Sequence, residues 1–141
     1  MKNFKLIPNQ SLDVFAIGDD IRKYLHFPHT VEHREEKTFS YDSYSFYNNS
    51  VTIWPTEDNK IETIRCDSNC YWKGQNLIGM LYKDFIILSE QYPNTESVEY
   101  IPINPNRGQN QKVYTFDDLG LMIWVWRNKI RTVLISRYDQ E

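Results

Sequence analysis

One short pattern occurs twice in this chain of 141 residues, and it constrains the fold more than any other feature of the sequence. The first copy, over residues 50–64, consists of SVTIW, a short turn and NKIETI. The second copy, over residues 120–133, consists of GLMIW, a turn and NKIRTV. Alternating apolar and polar residues on both sides of an Asn-bearing turn are typical of a β-hairpin. The sequence therefore predicts two β-hairpins in which Trp54 and Trp124 hold corresponding positions.

A helical pattern and a further strand precede each predicted hairpin. Residues 19–27 begin with two aspartates suited to cap a helix, and apolar residues follow at helical spacing. In residues 80–88 apolar residues recur at spacings of four and three, which is typical of a helix, although residues 85–88 taken alone could form a strand. Residues 38–47 and 112–116 are strand candidates. We therefore expect an α+β fold with a mainly antiparallel sheet, built from two helix-plus-antiparallel-strand units whose likeness suggests internal duplication.

The length fits one domain and is short for two. We expect a single α+β domain over residues 1–141, with half-units at residues 1–70 and 71–141. In the second hairpin, two tryptophans alternate with aliphatic residues, so that both faces of this strand are apolar. The strand is therefore expected to be central and buried on both faces, with Trp124 in the core.

Composition and charge argue against several functional classes. No apolar run approaches the roughly 18 residues that a membrane-spanning helix needs, and residues 1–8 lack the apolar stretch of a secretion signal. The net charge of −3 argues against a nucleic-acid partner, because proteins that bind nucleic acid present a basic face. Two cysteines, Cys66 and Cys70, are too few for a disulfide scaffold. We expect a cytoplasmic protein with free thiols.

The sequence contains no catalytic or cofactor motif that we recognise. It has no glycine-rich phosphate loop, no G-x-S-x-G elbow and no H-E-x-x-H zinc motif. The histidines His26, His29 and His33 lie close together, but Pro28 interrupts them, and no single helix places all three on one face. We predict no metal, no cofactor and no enzymatic activity. The alternative is a metal-dependent enzyme that uses these histidines together with Glu32.

Acidic residues are concentrated in two segments that we expect to be loops. Residues 84–106 contain four carboxylates and no lysine or arginine, together with two tyrosines and three prolines. Residues 29–36 contain three glutamates, offset by one arginine. One interpretation is a solvated rim of the fold. The other is an acidic, tyrosine-bearing surface for a basic partner, since tyrosines and well-placed charges are the usual anchors of tight interfaces.

The chain resembles small immunity proteins of bacterial toxin systems, such as contact-dependent growth inhibition. The resemblance lies in the size, the acidic and aromatic composition, the missing catalytic motifs, and the segment TFDDLGLMIWVW at residues 115–126. Several such families share its F-x-x-L-G-apolar entry into a strand. The resemblance implies a non-enzymatic protein that binds one-to-one to a cognate toxin domain, often a nuclease, and covers its active site or an adjacent surface.

We expect such a partner to bind at seven residues of the two acidic segments: Glu96, Glu99, Tyr100, Tyr92, Glu32, Glu35 and Glu36. A nuclease active site is basic because its substrate is a polyanion, so an acidic inhibitor surface would complement it. No nucleic acid and no membrane is expected among the partners. The alternative function is a small cytoplasmic binding or housekeeping domain for another ligand.

Overall fold

The computed structural model describes residues 2–136, and most of them lie in β-strands. In chain order the strands are β1 (Phe4–Ile7), β2 (Ser11–Leu12), β3 (Phe15–Ala16), β4 (His29–Glu35), β5 (Ser40–Phe46), β6 (Val51–Pro55), β7 (Ile61–Cys66), β8 (Cys70–Trp72), β9 (Gln75–Asn76), β10 (Thr95–Asn104), β11 (Arg107–Phe116), β12 (Leu121–Trp126) and β13 (Lys129–Ser136). One α-helix, α1 (Tyr82–Ser89), precedes β10, and 3-10 turns lie at Ile21–Tyr24 and Asp117–Leu119.

The strands form two sheets. The large sheet has eight strands in the order β10-β11-β12-β13-β7-β6-β5-β4, and every neighbouring pair in it is antiparallel. The small sheet has five short strands in the order β3-β2-β1-β8-β9, in which β1 and β8 are parallel. β10 and β4 are therefore the two edge strands of the large sheet, and they lie at opposite ends of it.

The predicted α+β fold of two helix-plus-strand units is wrong, because the protein is mostly β. The helix expected over residues 19–27 is a single 3-10 turn at Ile21–Tyr24, whereas the helix expected over residues 80–88 exists as α1. Ile21 and Tyr24 are both buried at a spacing of three residues, which one 3-10 turn satisfies as well as an α-helix does. Asp20 caps this turn by accepting a hydrogen bond from the Arg22 backbone N–H at 2.9 Å.

The two predicted hairpins are confirmed, as β6–β7 and β12–β13. Trp54 lies opposite Thr63 and Trp124 lies opposite Thr132, and the pairing register shifts immediately after each tryptophan. The turn asparagines, Asn59 and Asn128, have φ angles of 64° and 67°. Asparagine adopts this left-handed conformation more readily than most residues, which explains the asparagine in both copies of the pattern.

The hairpins join along β7 and β13 at the middle of the large sheet, where Arg65 pairs with Leu134. A side-chain hydrogen bond spans this seam on each side of that pair. The hydroxyls of Thr63 and Ser136 are 3.0 Å apart, and the Thr132 hydroxyl donates to the Asp67 carboxylate at 2.7 Å. Backbone ladder bonds and these threonine contacts together hold the two hairpins in one register.

The hydrophobic core lies on one face of the large sheet, under the small sheet and α1. Aromatic contacts connect the layers: Phe15 of β3 is 4.8 Å from Phe46 of β5, and Phe85 of α1 is 5.2 Å from Phe116 of β11, measured between ring centroids. We call the other face of the large sheet the outer face. No helix among residues 2–136 is long and apolar enough to cross a membrane.

The expectation that Trp124 lies in the core is wrong. β12 is a central strand, but only Leu121, Ile123 and Val125 belong to the core cluster, whereas Trp124 and Trp126, which alternate with them, are half-buried. The small sheet and α1 cover one face of the strand, so the tryptophans, which alternate with the core residues, point to the outer face. Alternation along β12 explains why the tryptophans are on the face opposite the core. The prediction was wrong because their apolar character suggested that this second face was also buried.

Candidate functional site

The hairpin of β10 and β11, which we call the arm (residues 95–116), extends beyond the sheet. β10 pairs with β11 along its whole length, whereas β11 pairs with β12 only at residues 112–116. The outer half of the arm, residues 99–111, is therefore a two-stranded ribbon with no third strand among the described residues. Ladder hydrogen-bonding groups on the free edge of β10 are available to a partner chain.

Four of the seven predicted binding residues lie on or next to this edge. Glu96, Glu99 and Tyr100 are on β10, and Tyr92 is in the connection between α1 and β10. The expectation that this acidic segment is a loop is wrong, since ten of its residues form the strand β10. Proline has no backbone N–H and cannot donate to a sheet ladder, but Pro102 is tolerated here because half of the N–H groups of an edge strand have no partner strand.

Large apolar side chains on the arm and beside it are open to solvent. Val98 and Ile103 are each 61% exposed, Tyr100 is 60% exposed and Tyr92 is 82% exposed. Val98 and Ile103 were not among the predicted binding residues, although the β-branched residues in the segment 95–104 favour a strand. Several exposed apolar side chains along one unpaired edge are typical of an interaction surface.

Tyr100 lies across the arm against Gly108 of the facing strand. A methyl group added at Gly108 would overlap the ring end of Tyr100, at its Cζ and hydroxyl oxygen. The absence of a side chain at Gly108 therefore gives the Tyr100 ring its place on the arm. The ring of Tyr100, which is 60% exposed, therefore lies against the facing strand on one side and is open to solvent on the other.

Glu96 and Glu99 lie on opposite faces of the arm, because side chains alternate along a strand. Glu96 is opposite Tyr114, whose ring stacks on Tyr82 of α1 with the centroids 3.9 Å apart. Burial raises the pKa of the Tyr114 hydroxyl, and the neighbouring Glu96 carboxylate raises it further. Burial likewise raises the pKa of Tyr82, with Tyr114 and Glu96 adding to the shift. Glu96 thus belongs partly to the fold.

Glu99 lies on the outer-face side of the arm, opposite Gln111. Neither Glu96 nor Glu99 makes an ion pair within residues 2–136. Lys112 is opposite Val98 and shares a face with Glu96, which reduces the negative charge of that face. Glu99 has no lysine or arginine opposite it on β11.

The arm curls over the outer face of the large sheet. Ile101 of β10 and Trp54 of β6 are separated by five strand spacings, about 24 Å in a flat sheet. Both residues nevertheless line one cavity of about 260 Å³, together with Arg65, Gln111 and Trp124. A cavity of this size cannot span a flat sheet over that distance, so the sheet is strongly curved and the outer face is concave.

The second predicted patch, Glu32, Glu35 and Glu36, lies at the opposite edge of the large sheet from β10. The two patches are therefore separated by the width of the sheet. Glu32 and Glu35 are on β4, another segment expected to be a loop, and Glu36 follows that strand. Glu32 pairs with Arg34 at 2.6 Å, and Glu35 pairs with His33 at 3.3 Å. Two of the three glutamates therefore already have partners on their own strand.

His33 bridges β4 and β5 through carboxylates on both strands. Its Nδ1 is 2.6 Å from the Asp42 carboxylate, and its Nε2 is 3.3 Å from Glu35. Hydrogen bonds to Asp42 and then Glu35 raise the pKa of the His33 imidazole above its ordinary value. The contact therefore contributes its full stabilisation of this edge below a pH of about 6.5, which is the usual pKa of histidine in an unfolded chain. This contribution is lost as the pH rises through the pKa that His33 has in the folded protein.

We expect the substitution Asp42→Asn to lower the pKa of His33 towards the ordinary value, because it removes the charged partner of the shorter hydrogen bond. The measurement is an NMR titration of the imidazole C–H protons. Asp117→Asn, which lies far along the chain in the turn before β12, is the control and should leave the titration unchanged. An unaltered His33 midpoint in the Asp42 variant would contradict this assignment.

The three histidines do not converge. The His26 ring is tilted by 38° against that of Phe27 with the centroids 4.2 Å apart, and His29 Nδ1 is 2.8 Å from the Phe27 carbonyl oxygen. His33 contacts the carboxylates of Asp42 and Glu35 instead. Among residues 2–136, no group of three or more histidine, cysteine, aspartate or glutamate side chains has an arrangement that could hold a metal ion. A metal-dependent mechanism therefore has no geometric support in the described part of the chain.

Cys66 and Cys70 are free thiols, and both are buried. The Cys66 thiol donates to the Ser68 carbonyl oxygen at 3.2 Å. A hydrogen bond with Cys66, together with burial, raises the pKa of the Cys70 thiol well above its ordinary value. A neutral buried thiol is a poor nucleophile, so Cys70 acts as a small apolar residue. Cys66 belongs to the same hydrophobic core.

Comparisons with protein-family models, with curated protein sequences and with solved structures found no significant match to this chain.

Proposed function

We propose that this protein is a non-enzymatic immunity protein that acts in the cytoplasm. It binds a cognate bacterial toxin domain with one-to-one stoichiometry and neutralises it. The arm is the proposed binding surface, and Glu99 and Tyr100 are its central contacts. Glu96 and Tyr92 extend this surface along the edge of β10. Glu32, Glu35 and Glu36 at the other sheet edge form a second, weaker patch.

One observation carries this proposal: β10 is a ten-residue edge strand whose outer edge has no partner strand among the described residues, and its apolar side chains are exposed. Natural proteins usually protect such an edge by covering it, shortening it or bending it away, because it otherwise pairs with other chains. A long edge with exposed Val98, Tyr100 and Ile103 is therefore suited to a partner that covers it. Strand addition would supply backbone hydrogen bonds, and these side chains would supply specificity.

The charge of the edge favours a basic partner over a second copy of this chain. Residues 84–106 contain no lysine or arginine. If two β10 strands paired in an antiparallel manner about a centre between residues 97 and 98, Glu96 of each copy would lie opposite Glu99 of the other, and like charges across strands destabilise pairing. A basic segment at the mouth of a nuclease active site has the opposite charge and would be attracted to Glu99. Covering that segment would exclude the polyanionic substrate.

The direct test is co-expression with the product of the gene immediately upstream, since an immunity gene normally follows its toxin gene. We expect the upstream product to be toxic alone, and we expect this protein to suppress the toxicity and to co-purify with it at equal stoichiometry. An upstream product that is toxic but neither bound nor suppressed would overturn the proposal.

Within such a complex, we expect Glu99→Lys to weaken binding by about tenfold, because it reverses an unpaired charge at the interface. Gly108→Ala should weaken binding as well, since the added methyl group displaces the Tyr100 ring without removing it. Glu62→Lys, an exposed carboxylate on β7, is the matched control and should bind normally. Dissociation constants and association rates measured by surface plasmon resonance decide between these outcomes.

Salt dependence separates the electrostatic part of this proposal from the rest. Raising the salt from about 50 mM to about 500 mM should slow association by tenfold or more while changing dissociation little. The Glu99→Lys complex should lose most of this dependence. Association that is independent of salt, or Glu99→Lys binding equal to that of the Glu62→Lys control, would contradict the role of the arm charge.

A further inference from the structure

A cavity of about 410 Å³ lies away from the arm, at the open end of the β4–β5 hairpin, where β4 begins and β5 ends. Its size is within the range of cavities that bind small molecules. Nine residues line it: Phe27, Pro28, His29, Thr30, Ser45, Phe46, Tyr47, Asn48 and Asn49. The set contains aromatic rings, hydroxyls and two carboxamides, and none of its members is an aspartate, glutamate, lysine or arginine. This composition favours a neutral ligand, because a charged one would lose its hydration without gaining a counter-charge.

The side-chain chemistry of the cavity both donates and accepts hydrogen bonds. Asn48 and Asn49 each carry an amide donor and an amide acceptor, and Thr30 carries a hydroxyl that serves in both roles. The Ser45 hydroxyl is 3.3 Å from that of Thr52, which leaves it one further hydrogen-bonding role. His29 adds an acceptor. Its Nδ1 lies 2.8 Å from the Phe27 carbonyl oxygen, which only accepts, so Nδ1 carries the proton. In the neutral imidazole the other nitrogen, Nε2, is then the acceptor.

The loop that borders this cavity has a strained backbone. Tyr47, Asn48 and Asn49 have φ angles of 53°, 53° and 69°, which are three consecutive left-handed residues without a glycine. Such a conformation costs roughly 1–2 kcal/mol at Tyr47 and less at Asn48 and Asn49, since asparagine adopts it more readily. Strain of this kind is concentrated at ligand-binding sites, where it holds side chains in place.

Packing beneath the loop holds Tyr47 in position. Its ring centroid is 5.1 Å from that of Phe4 and 6.5 Å from that of Phe15, and the ammonium group of Lys2 lies 5.6 Å from it. Tyr47 itself remains 37% exposed. A rigid, partly exposed tyrosine next to two carboxamides offers an apolar ring surface and hydrogen-bonding groups at one site.

We propose that this cavity binds a neutral saccharide. Each sugar hydroxyl both donates and accepts, as do the carboxamides and hydroxyls of the lining, and the C–H face of a sugar ring packs on an aromatic ring. Sugar phosphates and nucleotides fit less well, because the lining contains no lysine or arginine for a phosphate group and the neighbouring Lys2 pairs with Asp13 at 3.3 Å. This activity is separate from the arm and does not depend on the toxin-binding proposal.

The test measures binding of methyl α-D-glucopyranoside, methyl β-D-galactopyranoside and N-acetyl-D-glucosamine to the full chain by saturation-transfer NMR and chemical-shift titration. We expect at least one of these sugars to bind with a dissociation constant on the order of 1 mM, as suits a ligand of this size. Glucose 6-phosphate should bind more weakly than its neutral counterpart. No saturable binding by any neutral sugar, or tighter binding by the phosphate or by adenosine, would overturn the proposal.

Glycine substitutions in the loop locate the site. Asn48→Gly and Asn49→Gly remove a carboxamide at positions where glycine adopts the left-handed backbone without strain, so the fold should be retained. We expect each variant to bind sugar about fivefold to tenfold more weakly. Asn128→Gly, the same change at a φ of 67° in the β12–β13 turn, is the matched control and should bind as the unmodified protein does. Equal binding by the three glycine variants would place the sugar elsewhere and overturn the assignment.

Discussion

Replacing Phe15 by alanine is expected to lower the free energy of unfolding by about 3–5 kcal/mol, as truncation of a fully buried phenylalanine does. Phe15 is 0% exposed and lies between the small sheet and the large one. Its ring centroid is 5.1 Å from that of Tyr24, 4.8 Å from that of Phe46 and 6.5 Å from that of Tyr47. Alanine would remove the ring that joins these contacts and leave a cavity between the layers.

Urea unfolding followed by tryptophan fluorescence measures this loss as a shift in midpoint. Phe39→Ala is the control, because Phe39 is 58% exposed and its truncation should cost less than about 1 kcal/mol. A loss in the Phe15 variant no larger than that of the control would mean that Phe15 does not connect the two sheets. The substitution should also weaken sugar binding at the proposed cavity, since the Tyr47 loop rests on this ring.

Gly120→Ala is expected to destabilise the protein by about 2–5 kcal/mol, through two effects that add. Gly120 has a φ of 62°, a conformation that alanine adopts only at a cost. A methyl group here would also overlap the backbone carbonyl oxygen of Ser136 and the side chain of Asn9. The Ser136 N–H donates to the Gly120 carbonyl oxygen at 2.8 Å, so the chain cannot move aside without breaking this bond.

Gly74→Ala separates the two effects. Gly74 has a similar φ of 76°, but nothing lies within 4 Å of the position that its Cβ would take. Its substitution should therefore cost only the backbone strain, about 1–2 kcal/mol. Thermal or urea unfolding of both variants gives the difference, which is the cost of the clash at Gly120. Equal losses in the two variants would show that the close approach of Ser136 does not matter.

The confirmed predictions from sequence concern local structure. Alternation on both sides of Asn59 and Asn128 and the left-handed preference of asparagine act within about fifteen residues, so both hairpins were evident from the sequence. The helix over residues 80–88 was predicted from its periodicity for the same reason. The pattern over residues 19–27 was shorter, and a spacing of three residues does not distinguish a 3-10 turn from an α-helix.

The strands that the sequence did not reveal include the five short strands of the small sheet and both edges of the large one. A strand is recognised in a sequence when one of its faces is buried and alternation results. β4 and β10 are exposed along almost their whole length, so they carry charged and polar residues at positions of both faces. Their sequences therefore resembled acidic loops, although pairing with β5 and β11 makes them strands.

The candidate site shows the same division between local and tertiary information. The sequence predicted that Glu96, Glu99 and Tyr100 lie in an acidic segment without lysine or arginine. It did not show that Glu96 faces Tyr114 while Glu99 is on the other side, since this depends on strand pairing. Nor did it show that Glu32 and Glu35 are at the far edge and are already paired with Arg34 and His33.

By itself, the sequence determined the two tryptophan hairpins, the helix α1, and the acidic character of the segments that became the edge strands. Only the tertiary structure decided which face of β12 is covered, that Trp54 and Trp124 line a concave outer face, and that Tyr47, Asn48 and His29 share a cavity. The physical reason is that alternation and turn preference act between near neighbours in the chain. Which face is covered, and which edge remains open, depends on strands that pair across dozens of residues.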